Sequence, residues 1–235
     1  MTDTRRVFEL LDVPKFAYPS VIEMDPVQTA SNILDRINGG VFMSYARPVG
    51  LLPRIVKNQI TQDEIAGMFK SYKHEWKNAN QRDVAAALYA EFSGKGVWYP
   101  IQSRQAQIFE GLWFKPSIKG VWFFEGVPYM VGVNPRKSQI LVGSHLAFLA
   151  RGMQELYGID DPNDPLALIF DLSVAENGKN RAPRKTILLE DQMISSLQFE
   201  DVMRRFFEAL RIAGIEAVPR KIDDITDMLR RPKGQ

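Results

Sequence analysis

The sequence predicts an α+β fold, with a helical N-terminal part followed by a largely antiparallel sheet with packing helices. Apolar residues recur at helical spacing within residues 1–94, whereas aromatic and branched residues alternate with turn residues over 97–133. Beyond residue 133, helical and strand-like segments alternate. Helices first, then strands, then a mixture is the order typical of α+β proteins rather than of doubly wound parallel sheets.

The composition is that of an ordinary globular protein. Hydrophobic residues make up 45% of the 235 residues and charged residues 25%. We expect a single domain, 1–235, with a division into a helical part, 1–94, and an α/β part, 95–235, as the alternative. No apolar stretch reaches the roughly 20 residues that span a bilayer, and the start lacks a signal-peptide core. Together with the absence of cysteine, this predicts a cytoplasmic protein.

The clearest local pattern predicts two adjacent helices within residues 61–92. Thr61 and Glu64 have the spacing of a capping box, in which each side chain binds the other residue's backbone N–H. Asn80 is the expected cap of the second helix, and Gly94 is its expected end. The residues expected to pack the pair are Ile65, Phe69, Trp76, Leu88 and Phe92.

Other elements follow from turn residues and hydrophobic periodicity. Asp25 and Pro26 form a helix start, and Glu125-Gly126 has the length of a tight hairpin turn. The other expected helices cover residues 3–11, 26–37, 144–157 and 199–212. The expected strands cover residues 16–23, 41–45, 97–101, 107–114, 121–124, 127–133, 166–174 and 186–189.

Metal and cofactor patterns are nearly absent from the sequence. Neither His74 nor His145 has a histidine partner at helical spacing, and a lone histidine is more often structural than a ligand. Residues 124–138 resemble the strand before the zinc helix of ImmA/IrrE-like metallopeptidases, but the second histidine and catalytic glutamate are missing from the following helix. No glycine-rich phosphate-binding pattern follows a predicted strand. We therefore expect no metal site and no cofactor.

The best carboxylate set for a nuclease-like centre is Asp171 and Glu176, with Lys179 nearby. A carboxylate at the end of an apolar run is expensive to bury without a role, and paired carboxylates can hold Mg²⁺. Their spacing does not match the glutamate-x-lysine pattern of restriction-type nucleases. Asp171 facing solvent or paired with a neighbouring basic residue is the simpler interpretation.

Two features suggest binding. The basic loop, residues 177–185, carries four cations and no acid, as phosphate-gripping segments do. Residues 95–124 mix aromatic with basic side chains, and consecutive aromatics at 122–124 must face both sides of a sheet. The predicted nucleic-acid-binding residues are therefore Lys179, Arg181, Arg184, Lys185, Arg104, Lys115 and Lys119.

The sequence favours a non-enzymatic, nucleic-acid-associated or complex-forming accessory protein, which binds through the basic loop and the aromatic-rich sheet. One alternative is a metal-dependent phosphodiester hydrolase using Asp171 and Glu176, and another is a structural subunit that binds only protein. The net charge of +2 exerts no general attraction on nucleic acid, so binding requires a local patch. The expected partners are nucleic acid, a protein or a second copy of the chain, and not a membrane.

Overall fold

The computed structural model describes residues 8–39, 44–70, 73–101, 106–109, 112–115, 118–157, 165–174 and 180–215. The helices are α1 (Asp12–Phe16), α2 (Pro26–Gly39), α3 (Ala46–Val49), α4 (Leu52–Val56), α5 (Gln62–Met68), α6 (Glu75–Phe92), α7 (Gly143–Tyr157) and α8 (Ser196–Ile212). The strands are β1 (Phe8–Glu9), β2 (Val97–Tyr99), β3 (Ala106–Phe109), β4 (Leu112–Lys115), β5 (Ile118–Phe124), β6 (Val127–Asn134), β7 (Leu166–Asp171) and β8 (Arg184–Leu188). This content and order confirm the predicted α+β class.

The main sheet has five strands in the order β2-β5-β6-β7-β8. All neighbours are antiparallel except β6 and β7, which run parallel and are connected through α7. Their pairing sets Asn134 directly beside Asp171 at the carboxyl ends of both strands. A parallel pair with a helical connection creates a crevice at that end of the sheet, where ligands commonly bind in α/β folds.

Successive residues of a strand point to opposite faces of a sheet, and here apolar residues point to both faces. Helices cover both faces of the main sheet. On one face, Met130 and Ile169 belong to a core shared with α1, α2, α7 and α8. On the other face, Val131 and Phe170 belong to a core shared with α3, α4, α5 and α6. The N-terminal helices therefore contribute to both cores, and they bury the apolar stripes that the sequence shows.

The helix pair α5–α6 agrees with its prediction in most details. The Thr61 hydroxyl accepts from the Glu64 N–H at 3.3 Å, and the Glu64 carboxylate accepts from the Thr61 N–H at 2.7 Å. The boundary between the helices was predicted wrongly, because α6 begins at Glu75 and includes Asn80. Trp76 is 52% exposed, so its predicted packing role is also wrong. The other four predicted packing residues, Ile65, Phe69, Leu88 and Phe92, are buried.

Several other predictions of helix starts, turns and helix faces are confirmed. The Asp25 carboxylate caps α2 by accepting from the Val27 N–H at 2.7 Å. Glu125 and Gly126 form the β5–β6 turn with φ angles of 51° and 83°. The inward face of α8 and the extent of α7 are as expected.

The errors concentrate near the N-terminus and in the short strands. Residues 8–9 form a strand instead of a helix, and residues 17–23 form turns after α1 instead of a strand. The expected strand 107–114 is two strands, β3 and β4, which pair with each other in a separate sheet, where β4 also pairs with β1. The expected strand 41–45 falls largely outside the described residues. None of the described helices combines the length and apolar character needed to cross a membrane.

Candidate functional site

Arg181 of the basic loop is bound to the protein's own backbone. Its Nη1 donates to the carbonyl oxygens of Leu172 at 2.6 Å and Pro135 at 2.9 Å. Its guanidinium carbon lies 5.6 Å from the centre of the Tyr45 ring, within cation–π range. The side chain thus connects the carboxyl ends of β6 and β7 to the segment before α3.

Arg184 pairs with Asp171, the carboxylate of the hydrolase alternative. Asp171 is only 3% exposed, and Oδ2 accepts from Arg184 Nη2 at 2.5 Å and from the Ser173 hydroxyl at 3.0 Å. Its Oδ1 accepts from the Ser173 N–H at 3.0 Å and from Asn134 Nδ2 at 2.8 Å. The Leu141 N–H also donates to Oδ2 at 3.4 Å. The expected pairing with a neighbouring basic residue is therefore observed, and five hydrogen bonds satisfy the buried carboxylate.

This buried carboxylate also orders the segment between β6 and α7. Asn134, which binds Asp171, donates to the Gln139 carbonyl at 2.7 Å and accepts from the Arg136 N–H at 3.2 Å. The Val174 N–H donates to the Lys137 carbonyl at 3.0 Å. These hydrogen bonds hold residues 135–140 against the ends of β6 and β7. They therefore fix the backbone from which the side chains of Arg136 and Lys137 extend.

The remaining predicted binding residues are dispersed. Lys185 pairs with Glu91 of α6 at 2.6 Å. Lys119 lies on β5 and lines a small cavity of about 190 Å³, whereas Lys115 ends β4 in the separate sheet. Lys179, Arg104 and Glu176 lie outside the described residues.

The aromatic residues of the sheet do face both sides. Trp122 is buried and stacks on Phe124, with ring centres 4.7 Å apart. Phe123 points to the opposite face and is 40% exposed. Val97 pairs with Phe123 and is 48% exposed, and Tyr99 on the same strand is 55% exposed. Val97, Tyr99 and Phe123 therefore form an apolar patch that is exposed to solvent at this edge of the sheet.

Another group of convergent polar residues lines an open cleft of about 660 Å³ at the carboxyl end of β6. Its walls come from α1, α2, the start of α6 and the segment 136–140. Four cations and two carboxylates line it. They are Lys15, Arg36, Arg136, Lys137, Glu9 and Asp12. A cavity of this size with a few convergent charged groups has the dimensions of a small-ligand site.

Arg136 is the most firmly held of these cations. Its Nη1 donates to the Leu11 carbonyl at 3.0 Å and to Gln139 Oε1 at 2.9 Å, and its Nη2 pairs with Asp12. The second oxygen of Asp12 accepts from the Glu9 N–H at 2.9 Å. Both carboxylate oxygens of Asp12 therefore have partners, and the ion pair with Asp12 helps to hold the Arg136 guanidinium at the cleft wall.

The pKa of Lys15 reflects the burial and the charges around this side chain in the cleft. The pKa of Lys15 is lowered to about 8, chiefly by partial burial and also by the positive charges of Arg136 and Arg36, against the opposing effect of Asp12. A lysine loses affinity for its proton when it is desolvated and surrounded by like charge. A perturbed pKa within a cleft is a recognised feature of functional sites.

Three aromatic side chains also line the cleft. Tyr18 is 65% exposed and Trp76 is 52% exposed, and Lys77 Nζ lies over the Trp76 ring at 5.4 Å from its centre. Tyr45 is half-buried beneath Arg181 and forms part of the wall. Exposed rings beside cations are suited to stacking on bases near phosphates.

Metal-ligand geometry does not arise within the part of the chain that the structure describes, where no group of three or more histidine or carboxylate side chains could hold an ion. His145 is buried on α7, and its Nδ1 accepts from the Val142 N–H at 3.3 Å. Burial lowers the pKa of His145, which favours the neutral ring. This agrees with a structural role for this histidine.

The chain matches no protein-family model and no curated protein. Of the cleft cations, none was proposed from the sequence. Arg136 and Lys137 could have been found, because they follow a strand-like run and precede a helix, which is where ligand loops occur. Lys15 and Arg36 could not, since Lys15 lies between the expected helix 3–11 and the expected strand 16–23 and nothing in sequence connects it to Arg36.

Proposed function

We propose that this protein is a non-enzymatic, cytoplasmic nucleic-acid-binding protein and that the cleft at the carboxyl end of β6 is its binding site. The observation that carries the proposal is the convergence of Lys15, Arg36, Arg136 and Lys137 with exposed aromatic rings on one concave surface. Cations supply affinity for phosphates, and rings supply sequence-tolerant stacking for bases. A ligand with both phosphates and bases uses both kinds of group.

The cleft supports this function better than the basic loop does. Arg181 and Arg184 are half-buried and bound to carbonyls and to Asp171, and Lys185 pairs with Glu91. Turning these side chains toward a phosphate would break those internal bonds. Arg36 and Lys137 are exposed and line the cleft. We therefore assign the principal contact to the cleft and a supporting role to the loop.

The hydrolase alternative has less support. A catalytic carboxylate needs free lone pairs for a metal, whereas both oxygens of Asp171 accept hydrogen bonds from groups of the protein. The described part of the chain supplies no second carboxylate beside it that would complete a metal group. The interactions of Asp171 explain its burial without catalysis.

The test is the affinity for a fluorescent single-stranded oligonucleotide, measured by anisotropy over a range of salt concentrations. Two exposed cleft cations are removed in the variant Arg36→Ala/Lys137→Ala. The matched control, Lys57→Ala/Arg211→Ala, removes the same charge from exposed positions that do not line the cleft. The cleft variant should bind more weakly, and the slope of log affinity against log salt should fall by about two. The control should retain the wild-type slope.

Equal affinities for the wild type and the cleft variant at every salt concentration would contradict the proposal. A protein-binding role would then become the better hypothesis, with the exposed apolar patch of Val97, Tyr99 and Phe123 as the first surface to examine. Loss of binding in both double variants to the same degree would indicate a diffuse charge effect, which also contradicts a dedicated cleft.

A further inference from the structure

A small cavity of about 190 Å³ adjoins the cleft and has a different lining. It lies between β1, the start of α3, β5 and the carboxyl end of β6. Glu9, Tyr45 and Arg136 line both the cavity and the cleft, so the two spaces are neighbours. Pockets for drug-sized molecules measure about 300–1,000 Å³, and this cavity therefore suits a smaller ligand.

Two side chains of opposite charge line this cavity without meeting each other. Glu9 contributes to the lining from β1 and Lys119 from β5, and both residues are half-buried. Within the described part of the chain, neither side chain forms an ion pair or a hydrogen bond with another residue. A charge that is partly removed from water is unfavourable unless it is paired, so both groups gain from a ligand that carries the complementary groups.

The charges around the cavity cancel, which determines the kind of ligand that they favour. Arg136, the third charged residue of the lining, is paired with Asp12. One carboxylate and one ammonium group are left, on Glu9 and Lys119. A simple anion is attracted by Lys119 but repelled by Glu9, and a simple cation experiences the reverse. A zwitterion pairs with both groups at once and forms a charge-assisted hydrogen bond with each.

The remainder of the lining favours a ligand with an aliphatic part. Leu11, Val49 and Val133 are buried and line the cavity, so an apolar group placed against them is removed from water. The Tyr45 hydroxyl accepts from Arg181 Nη2 at 3.4 Å, and none of the described residues accepts a hydrogen bond from it. Its proton is therefore available to a ligand carboxylate. A zwitterionic head with a short aliphatic side chain is the chemistry of a free α-amino acid.

We propose that this cavity binds a small free α-amino acid with an aliphatic side chain. The ammonium group of the ligand donates to Glu9, its carboxylate accepts from Lys119, and its side chain contacts the apolar wall. The inference is independent of the proposed nucleic-acid-binding function, because it uses Glu9, Lys119 and the small cavity instead of the cations of the cleft.

The experiment is titration calorimetry of the full chain with valine and two blocked analogues. N-acetylvaline lacks the positive charge of valine, and valinamide lacks its negative charge. Valine should give saturable binding, and each analogue should bind about tenfold or more weakly, because each loses one charge-assisted hydrogen bond. Absence of saturable binding by valine, alanine and leucine would overturn the inference, and so would equal affinities for valine and both analogues.

Two variants assign each charge of the ligand to its partner. In Glu9→Gln, the ratio of the affinities for valine and N-acetylvaline should fall toward one, while the ratio for valine and valinamide should be retained. Lys119→Met should show the opposite pattern. The controls Glu200→Gln and Lys57→Met change exposed residues that do not line the cavity and should keep both wild-type ratios. Wild-type ratios in both cavity variants would overturn the inference, because valine would then bind elsewhere.

Discussion

The basic loop and the cleft both gather positive charge, but they use it differently. In the described part of the loop, Arg181 binds two carbonyls, Arg184 binds Asp171 and Lys185 binds Glu91. In the cleft, burial and the nearby charges of Arg136 and Arg36 lower the pKa of Lys15, and Asp12 opposes them. A run of cations in a sequence therefore does not indicate an available binding surface. The local balance between internal acceptors and neighbouring cations decides whether an external anion is favoured.

The largest effect should come from Asp171, which connects the two regions. In Asp171→Ala, the partners Asn134, Ser173 and Arg184 lose their shared acceptor. Breaking a buried pair typically costs about 3–5 kcal/mol, and we expect that loss in the free energy of unfolding. Urea denaturation followed by tryptophan fluorescence measures it. The exposed Asp191→Ala is the control and should change stability by less than about 0.5 kcal/mol. Similar changes in the free energy of unfolding for both variants would show that the hydrogen bonds of Asp171 do not stabilise the fold.

Arg181→Ala should have the next largest effect. The carbonyls of Pro135 and Leu172 lose their donor, and an unmade hydrogen bond at a buried acceptor costs about 1–3 kcal/mol. The same denaturation experiment applies, with the exposed Arg211→Ala as a charge-matched control. If Arg181→Ala keeps full stability but loses nucleic-acid affinity, the loop binds ligand directly and the comparison between the two regions is wrong.

The lowered pKa of Lys15 predicts a specific pH dependence. The pKa is about 8 in the folded protein and 10.5 ordinarily, so the unfolded chain holds this proton more tightly. The contribution of Lys15 to the free energy of unfolding is thus least favourable below pH 8 and rises between about pH 8 and 10.5. Arg136 and Arg36 oppose the charged form and Asp12 favours it, while Glu9 and Lys137 line the same cleft.

Lys15→Met should remove that rise. Below pH 8 the variant should be more stable than the wild type, and the difference should shrink as the pH increases toward 10.5. Thermal denaturation at several pH values measures the two curves. Parallel curves would mean that Lys15 keeps its ordinary pKa and that the cleft is not a crowded cluster of cations.

The smallest effect is expected at Lys185. Its side chain is 39% exposed and pairs with Glu91, which is 25% exposed, and such pairs contribute less than about 1 kcal/mol. Lys185→Ala should therefore leave the free energy of unfolding almost unchanged. Its nucleic-acid affinity should also remain close to that of the wild type. A loss of affinity equal to that of Arg36→Ala/Lys137→Ala would return the loop to the binding surface.

The pattern of success and failure follows the range of the interactions. The capping box at Thr61, the Asp25 cap and the Glu125-Gly126 turn were predictable, because each depends on residues within three positions of one another. The start of α6 was missed, since α6 carries a mixed surface and Trp76 lies on its exposed side. The strand 107–114 was predicted as one element although it contains Glu110-Gly111, the same pair of residues from which the turn at Glu125-Gly126 was predicted.

The sequence by itself determined the α+β class, the principal helices and the hairpin of β5 and β6. These follow from hydrophobic periodicity and turn chemistry. Only the tertiary structure decided where the cations lie relative to one another. It places Lys15, Arg36 and Arg136 in one cleft although they are separated by up to 121 positions along the chain, and it binds Arg181 and Arg184 to internal acceptors. Charges interact through space, and the packing of α1 and α2 beside the carboxyl end of β6 sets that distance.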